Sequence, residues 1–417
     1  MGISKELEDL LYVLRDFNVD LDAAKIIAQL IGDNNEGAIE LSNFIRNQYP
    51  TKERITKKAL EIALTALRNK PSRTIKIFDD GLYYDYDPTT DKIELAFQKN
   101  ECAGDIVIPA SVQYAGKELK VEEIPNTTFH SCKYLESVHI SDGITKIDHH
   151  AFALCQNLKS IRLPEGLKTI ESYAFYGCTL LTEIIIPKSV ELIDPAAFYM
   201  CPELRIRVDE NNPIYDSREN CHAIIETATN TLYAANKYTT IPKTVTNIGR
   251  HAYNNCQGIK DMIIPEGVES IGFMAFGGDQ SSICSVTIPE SVIKIESAFS
   301  FNKNLKSVVW NAINCSITIF DMGKHSCASF LDTGVSCFVF GPKVEHIPSL
   351  LFKDMNKLKS LIIPPSVKTI ADDAITCCRK LTHVQIPQHL HARAKEIFGT
   401  QIGIRVYTKE EGEKMFS

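Results

Sequence analysis

A phrase of 23 residues recurs along most of this chain of 417 residues. It runs apolar-x-x-apolar-x-Ile/Leu-Pro, continues with Val and Ile three residues apart, and ends in Ala-Phe-x-x-Cys. The period is visible in two sets of equivalent residues: Phe129, Phe152, Phe175 and Phe198, and Cys132, Cys155, Cys178 and Cys201. Repeats of this length cannot bury their apolar residues alone, so they stack as coils of a solenoid around one continuous core.

The first half of each phrase predicts one β-strand per coil, because its apolar residues alternate with variable ones. Proline follows most copies. Since proline cannot donate to a parallel ladder, it ends the strand and turns the chain outward. The copies lie at 135–140, 158–163, 181–186, 259–264, 283–288, 305–310, 358–363 and 381–386. We therefore expect a parallel β-solenoid with few helices.

The 13 cysteines favour free thiols over disulfides, metal ligation or redox chemistry. Their number is odd, and at least four recur at one phase of the repeat. That phase places them in a ladder inside the core, about 4.8 Å apart, where a free cysteine behaves as a small apolar residue. No Cys-x-x-Cys pair is present, which removes the commonest zinc and thioredoxin-like patterns.

The residues before the repeats predict two further segments. Leu7, Leu10, Leu11 and Leu14 share one face of a helix, and similar stripes continue to Leu67, which predicts an α-helical domain over residues 1–72. Strand-like runs separated by turn residues predict a β-hairpin over 73–101 that caps the first coil. The solenoid itself is expected over 102–417.

The period fails in two places. Ile193 and Ile248 are 55 residues apart, and Ile295 and Ile347 are 52 apart, where one coil needs 23. We interpret the excess as inserts near 209–238 and 311–338, the first of them a β-hairpin. Insertions in repeat proteins map to loops on one face, which is often a binding face.

The repeated phrases resemble the BspA-type leucine-rich repeat. The resemblance rests on segments such as 158–170 with Ala174-Phe-Tyr-Gly-Cys178, and 186–193 with Ala197-Phe-Tyr-Met-Cys201, and it covers about residues 102–408. The inserted segments 212–217 and 223–231 look like those of members from gut bacteria of the Bacteroides type. The resemblance implies a leucine-rich-repeat solenoid that acts as an interaction protein, since many family members are secreted or surface adhesins of bacteria and protists.

Charge and motifs exclude several function classes. The net charge of −7 and the lack of a basic block argue against nucleic-acid binding, and the longest apolar runs are too short to insert in a membrane. No P-loop, Gly-x-Gly-x-x-Gly, Gly-x-Ser-x-Gly or His-Glu-x-x-His motif occurs. His149-His150 and His389-Leu-His391 lack a matching ligand set. His325-Ser-Cys327 with Cys315 and Cys337 is a better candidate, but an irregular loop with loosely packed cysteines explains it more simply. We expect no enzyme activity, no cofactor and no metal.

The variable strand positions are the best candidates for a partner site. The residue between the last two core positions of each strand should face the concave surface, with a second row two residues earlier. A contiguous Ile/Val patch there would mark a partner site, although such residues also simply favour strands. The candidates are His139, Arg162, Glu183, Ile185, Asp261, Ile263, Val309, Ile362 and Gln385.

The sequence thus predicts a non-enzymatic scaffold that binds a protein partner through the concave face and the inserted loops. The alternative is a surface or secreted adhesin-type module that binds a host protein or a glycan. The chain start alternates charged residues with Leu and shows no secretory signal, so we expect a cytoplasmic location, with the cell surface as the alternative.

Overall fold

The computed structural model describes residues 75–88, 90–98, 102–321, 326–398 and 405–407. The chain divides into two compact units, Met1–Ile75 with Asp87–Asp91, and Lys76–Tyr86 with Lys92–Ser417. The α-helical domain predicted for residues 1–72 lies outside the described residues. The repeats all lie in the second unit.

A small sheet precedes the first coil. It is formed by strands Ile75–Asp79, Leu82–Asp87 and Lys92–Leu95. Leu82, Tyr84 and Tyr86 alternate with more exposed residues and are buried. The first coil contacts the segment that follows this sheet, because the Gln98 backbone N–H donates to the Thr128 carbonyl at 2.8 Å and the Cys132 thiol donates to the Gln98 carbonyl at 3.3 Å.

Each regular coil contributes a longer strand to a parallel ladder, which we call the long-strand ladder. It consists of three hydrogen-bonded blocks. The first block holds Ala103–Ile108, Tyr134–Ile140, Ser160–Arg162, Glu183–Ile186 and Arg205–Val208; the second holds Asp261–Ile263, Ser285–Ile288, Ser307–Trp310 and Cys337–Phe340; the third holds Ser360–Ile362, His383–Gln385 and Arg405–Tyr407. One such strand per coil is what the repeat predicts.

After the turn at the proline, each coil adds a strand of two to four residues to a second parallel ladder, the short-strand ladder. Its strands are Glu123–Ile124, Lys146–Ile147, Thr169–Ile170, Leu192–Ile193, Thr231–Ala234, Asn247–Ile248, Ser270–Ile271, Lys294–Glu296, Ser316–Thr318, His346–Ile347 and Thr369–Ile370. Within the described residues, the remaining elements are the hairpin Ser111–Tyr114 with Lys117–Lys120, strands Tyr215–Asp216, Ile224–Glu226, Phe320–Asp321 and Ser326–Cys327, 3-10 helices Arg218–Asn220 and Gln388–Arg393, and the α-helix Ala394–Phe398.

The Ala-Phe segment returns the chain to the next long strand, and we call it the aromatic arc. The phenylalanine rings of successive arcs stack within the core, at centroid distances of 5.0, 5.5 and 5.4 Å and with planes within 2° of parallel. A second stack contains Tyr253, Phe276, Phe299 and Phe330.

Alternate N–H groups of the arc backbone donate to the next coil, and the N–H groups between them donate within the arc. The Phe152 N–H donates to the Ala174 carbonyl at 2.8 Å. His150 and Leu154 adopt left-handed φ angles of 54° and 60°, which non-glycine residues rarely do. Their N–H groups also donate to carbonyls of the next coil, at 3.2 and 2.6 Å. These bonds account for the unusual backbone, because a buried N–H without a partner is costly.

The cysteine ladder has a role beyond apolar packing. The thiols of Cys155, Cys178 and Cys201 each donate to the phenylalanine carbonyl of the preceding coil, at 3.0 to 3.2 Å. Asn302 takes the equivalent position in a later coil, and its Nδ2 donates to the Phe276 carbonyl at 3.3 Å. Every cysteine whose side chain is described is a free thiol. Burial raises the pKa of Cys155 to about 12, so the thiol stays protonated and can donate.

The stretch near 209–238 contains the predicted hairpin, formed by Ile224–Glu226 and Thr231–Ala234 as antiparallel strands. The second of these strands then pairs in parallel with Asn247–Ile248, so the hairpin extends the short-strand ladder. Residues 235–246, all of them described, contain no strand. The long-strand ladder is therefore interrupted between Arg205–Val208 and Asp261–Ile263.

This coil also lacks an aromatic ring at the position of the stacked phenylalanines. The Ala235 N–H donates to the Ala252 carbonyl at 3.0 Å, which is the bond that the phenylalanine N–H makes in regular coils. Ala235 thus occupies the ladder position between Phe198 and Tyr253. A cavity of about 90 Å³ lies beside it, lined among others by Phe198, Ala235 and Asn254.

Residues 311–338 supply the elements of a further coil instead of a loop alone. Ser316–Thr318 pairs with Lys294–Glu296 in the short-strand ladder, and the ring of Phe330 stacks on Phe299 at 5.1 Å. Cys337–Phe340 then pairs with Ser307–Trp310 in the long-strand ladder. The small hairpin Phe320–Asp321 with Ser326–Cys327 lengthens this coil and hides its period.

The cysteine ladder predicts a stability difference between buried and exposed cysteines. We expect Cys178→Ala to lower the free energy of unfolding by about 1–2 kcal/mol, because a buried hydrogen bond and a packed sulfur are lost together. Cys337→Ala, at an exposed cysteine, is the matched control and should change it by less than about 0.5 kcal/mol. Urea denaturation measures both changes. Equal effects of the two substitutions would show that the buried Cys178 adds no stability beyond that of an exposed cysteine.

The missing ring predicts a stabilising substitution. Ala235→Phe should raise the free energy of unfolding by about 1 kcal/mol, because the new ring fills the cavity between two existing aromatic rings. Ala252→Phe adds the same ring at a fully packed position and should destabilise by about 1–3 kcal/mol through overpacking. Urea midpoints that fall equally in both variants would show that the cavity cannot accept a ring.

Candidate partner-binding face

The predicted concave row is the outward-facing row of the long-strand ladder. Hydrogen-bond register aligns Val107, His139 and Arg162 across the first block, and Ile185 with Arg207 beyond them. Alternation along each strand turns these side chains away from the buried Val138, Ile161 and Ile184. Charged and imidazole groups flank Ile185, so this block carries a mixed surface.

The second block carries an apolar surface. Register places Ile263, Thr287, Val309 and Val339 side by side on adjacent strands. Ile362 continues the row on the next long strand, which contacts Cys337–Phe340. We call these five residues the apolar stripe. Ile263 is 73% exposed, Val339 49% and Ile362 52%, which is high for large apolar side chains.

Of the residues predicted from the sequence, Ile263, Val309 and Ile362 lie in the apolar stripe, and Gln385 follows Ile362 in register. His139, Arg162 and Ile185 lie in the first block. Val339 was missed, because the lengthened coil before it conceals the repeat. The alternation of Phe338 and Phe340 around Val339 is the sequence signal that could have revealed this strand.

The row two residues earlier is largely occupied by its own contacts. The Asp261 carboxylate accepts from the Ser285 hydroxyl at 2.6 Å, and Asp105 accepts from Ser137 at 2.5 Å. Glu183 forms an ion pair with Arg207. The predicted residues Glu183 and Asp261 therefore have partners within the solenoid, and they hold neighbouring coils together as well as facing solvent.

The other sequence candidates for chemistry do not assemble into a metal site within the described residues. The His149 ring nitrogen Nδ1 contacts the Ser172 hydroxyl at 2.7 Å, and the His389 Nε2 contacts the Val367 carbonyl at 2.8 Å. The side chains of His325 and Cys327 lie outside the described residues. Among the helices of the described part of the chain, none is long and apolar enough to cross a membrane.

An aromatic cluster on the outer side of the arcs was not predicted. Tyr173 contacts the rings of His150, Tyr176 and Tyr199 at centroid distances of 5.1, 5.9 and 6.0 Å. Tyr176 and Tyr199 also stack on each other at 5.6 Å. Burial lowers the pKa of His150, and the neighbouring His130 and His149 lower it further, so its ring is neutral near pH 7. These positions vary within the repeat, which is why its pattern does not identify them.

The two ladders, the stacked arcs and the 23-residue period define a leucine-rich-repeat solenoid. The sequence model of the BspA type leucine rich repeat region matches residues 121–221, 229–322 and 323–412. The chain belongs to this family of bacterial-type repeat proteins. The residues that carried the resemblance lie within these matches, so the resemblance is confirmed.

Solved structures of the same fold come from several bacteria. The pneumococcal vaccine antigen PcpA is 16% identical, with a TM-score of 0.51 over 81% of this chain and 99% of that one. A leucine-rich repeat protein from Bacteroides ovatus is 19% identical, with a TM-score of 0.43 over 80% and 99%. One from Eubacterium ventriosum is 17% identical, with a TM-score of 0.45 over 73% and 95%. A search of curated proteins found no match.

Proposed function

We propose that this protein is a non-enzymatic scaffold that binds a protein partner through the long-strand ladder. The observation that carries the proposal is the apolar stripe, in which Ile263, Val339 and Ile362 are exposed and Val309 is half-buried on the same side of the ladder. Contiguous exposed apolar residues cost solubility unless something covers them. Membership of a family of interaction repeats agrees with this role.

Strand propensity alone explains the stripe less well. The same outward position holds His139, Arg162 and Gln385 in other coils, and those strands form with the same parallel register. A polar residue is thus compatible with the strand at this position. Ile263 and Ile362 add apolar surface to solvent without packing in the core, which favours a role in recognition.

A parallel ladder is also a suitable platform for binding. Within the second block the inner strands Ser285–Ile288 and Ser307–Trp310 are hydrogen-bonded on both sides, and the two edge strands are each bonded on one side. Their outward side chains are held about 4.8 Å apart along the ladder. Little conformational entropy is then lost on association. We propose that His139, Arg162, Glu183, Asp261 and Gln385 form the polar rim of the same surface, and that Ile185 is an apolar contact within that rim.

The two irregular stretches contribute differently in this proposal. Residues 311–338 end in the strand Cys337–Phe340, which presents Val339 within the apolar stripe. Residues 209–238 extend the short-strand ladder, on another side of the coil. We therefore assign residues 311–338 to the partner surface and leave residues 209–238 outside it.

The test replaces two stripe residues and compares them with exposed apolar residues on the short-strand side. Ile263→Glu with Ile362→Glu should reduce capture of specific partners from the native organism at least about tenfold, because two buried charges would oppose association. Leu192→Glu with Ile293→Glu, at positions 53% and 57% exposed, is the matched control and should retain the partners.

Quantitative mass spectrometry of the captured proteins provides the readout, with circular dichroism to confirm that both variants fold. Equal capture by the wild type and the stripe variant would contradict the use of this face. Loss with the control variant alone would place the interface on the short-strand side.

The aromatic cluster favours a second candidate function, an adhesin-type module that binds a glycan at the cell surface. Tyr173 is exposed, Tyr176 and Tyr199 are half-buried beside it, and the Tyr199 hydroxyl accepts from Nδ2 of the buried Asn255. Aromatic faces next to hydrogen-bonding groups suit sugar rings, which have apolar C–H faces and polar edges.

This alternative predicts that Tyr173→Ala with Tyr176→Ala loses binding on a glycan array, whereas Tyr134→Ala does not. Tyr134 is 64% exposed and lies on a long strand, away from the aromatic arcs, so it controls for the loss of an exposed tyrosine. Absence of any bound glycan, together with protein found only in the cytosolic fraction of the native organism, would exclude the adhesin role.

A further inference from the structure

A group of lysines lies where the long strands of the second half begin. Lys303, Lys306, Lys357, Lys359 and Lys380 are all exposed and line one shallow groove, and we call them the lysine patch. Thr333, Gly334 and Ser336 form the floor between them. This concentration of positive charge is unexpected in a chain whose net charge is −7.

Elsewhere on the solenoid, lysines pair with acids one coil away. The ammonium groups of Lys159, Lys168 and Lys368 lie 2.5, 2.5 and 2.7 Å from the carboxylates of Glu136, Glu191 and Glu345. Each of these pairs joins residues 23 positions apart, so the repeat itself supplies the partner. These lysines are thus neutralised within the fold.

The lysine patch contains little of this pairing between lysines and acids. Its one carboxylate is Asp332, which lies 3.6 Å from the Lys303 ammonium. Lys306 donates to the Lys303 backbone carbonyl at 2.9 Å. Among the described residues, no acidic side chain pairs with Lys306, Lys357, Lys359 or Lys380. Five positive charges therefore face one negative charge in the groove.

The backbone of the groove accommodates these charges. A Cβ atom at Gly334 would lie 2.5 Å from the Lys306 Nζ and 2.5 Å from the Lys303 carbonyl oxygen. Any other residue at this position would displace the ammonium group. The glycine therefore lets Lys306 lie across the groove beside the lysines of the neighbouring coils.

The lysine patch borders the apolar stripe. Lys306 and Lys359 directly precede the strands Ser307–Trp310 and Ser360–Ile362. Val309 and Ile362 follow three residues later, about 10 Å along the strand. A bound segment that covers the stripe would reach the lysines without leaving the long-strand side.

We propose that the partner segment is an acidic peptide whose apolar side chains cover the stripe and whose carboxylates pair with the lysine patch. This inference rests on the proposed function and gives the partner its chemistry. A long polyanion such as a nucleic acid or a sulfated glycan fits less well, because it would leave the stripe uncovered and would meet the net negative charge of the rest of the chain.

The probe is a synthetic fluorescent peptide of alternating Glu and Leu, measured by fluorescence anisotropy on the full chain. Raising the salt from about 50 to about 300 mM should weaken binding at least about fivefold. Lys306→Glu with Lys359→Glu should weaken it at least about tenfold. Lys159→Glu is the matched control, since Lys159 directly precedes a long strand of the first block, and should stay within about twofold.

Three further measurements distinguish this inference from the proposed function. A Gln/Leu peptide that binds as tightly as the Glu/Leu peptide, or unchanged binding by the lysine variant, overturns the acidic partner. If Ile263→Glu with Ile362→Glu still abolishes binding in that case, the stripe proposal stands alone. Heparin that binds through the lysines, with no effect of the stripe substitutions, overturns the peptide in favour of a sulfated glycan. Circular dichroism confirms folding of each variant.

Discussion

A single coil of this solenoid cannot form all of its backbone hydrogen bonds by itself. Its strands are two to seven residues long and pair with strands of the neighbouring coils, and the arc between them donates its N–H groups to the next coil as well. The Cys178 thiol also donates its hydrogen bond outside its own coil, to the Phe152 carbonyl of the preceding coil. Each coil is therefore ordered only by its neighbours, which makes stability a sum of interfaces between coils.

This dependence divides the side chains into two classes. Residues that face inward must match the residue one coil away, so Phe stacks on Phe and the cysteines form a ladder. Residues that face outward on the long strands are free of that constraint, provided they keep the strand. Binding specificity in such a fold therefore depends on the outward residues. Charge pairing between coils decides which of these residues remain available to bind a partner.

Much of the architecture could be predicted from the repeat, because its period reflects backbone pairing that is the same in every coil. The parallel strands, the proline turns and the hairpin at Ile224–Glu226 with Thr231–Ala234 follow from local pattern. The coil within 311–338 and the outward Val339 did not, because an extra hairpin shifts the spacing by several residues. The thiol donation by Cys155 was also missed, since a cysteine has the same pattern whether it only packs or also donates.

The sequence by itself determined the family, the stacking of coils and which residues face the core, because these depend on periodicity that any reader of the chain can measure. The tertiary structure decided which outward residues become neighbours. Val309 and Val339 are 30 residues apart in the chain but adjacent in register, and Ile263 joins the same row through Thr287. Lys306 and Lys359 remain without the acids that other coils supply. Such neighbourhoods depend on how irregular coils shift the register, and only the folded ladder contains that information.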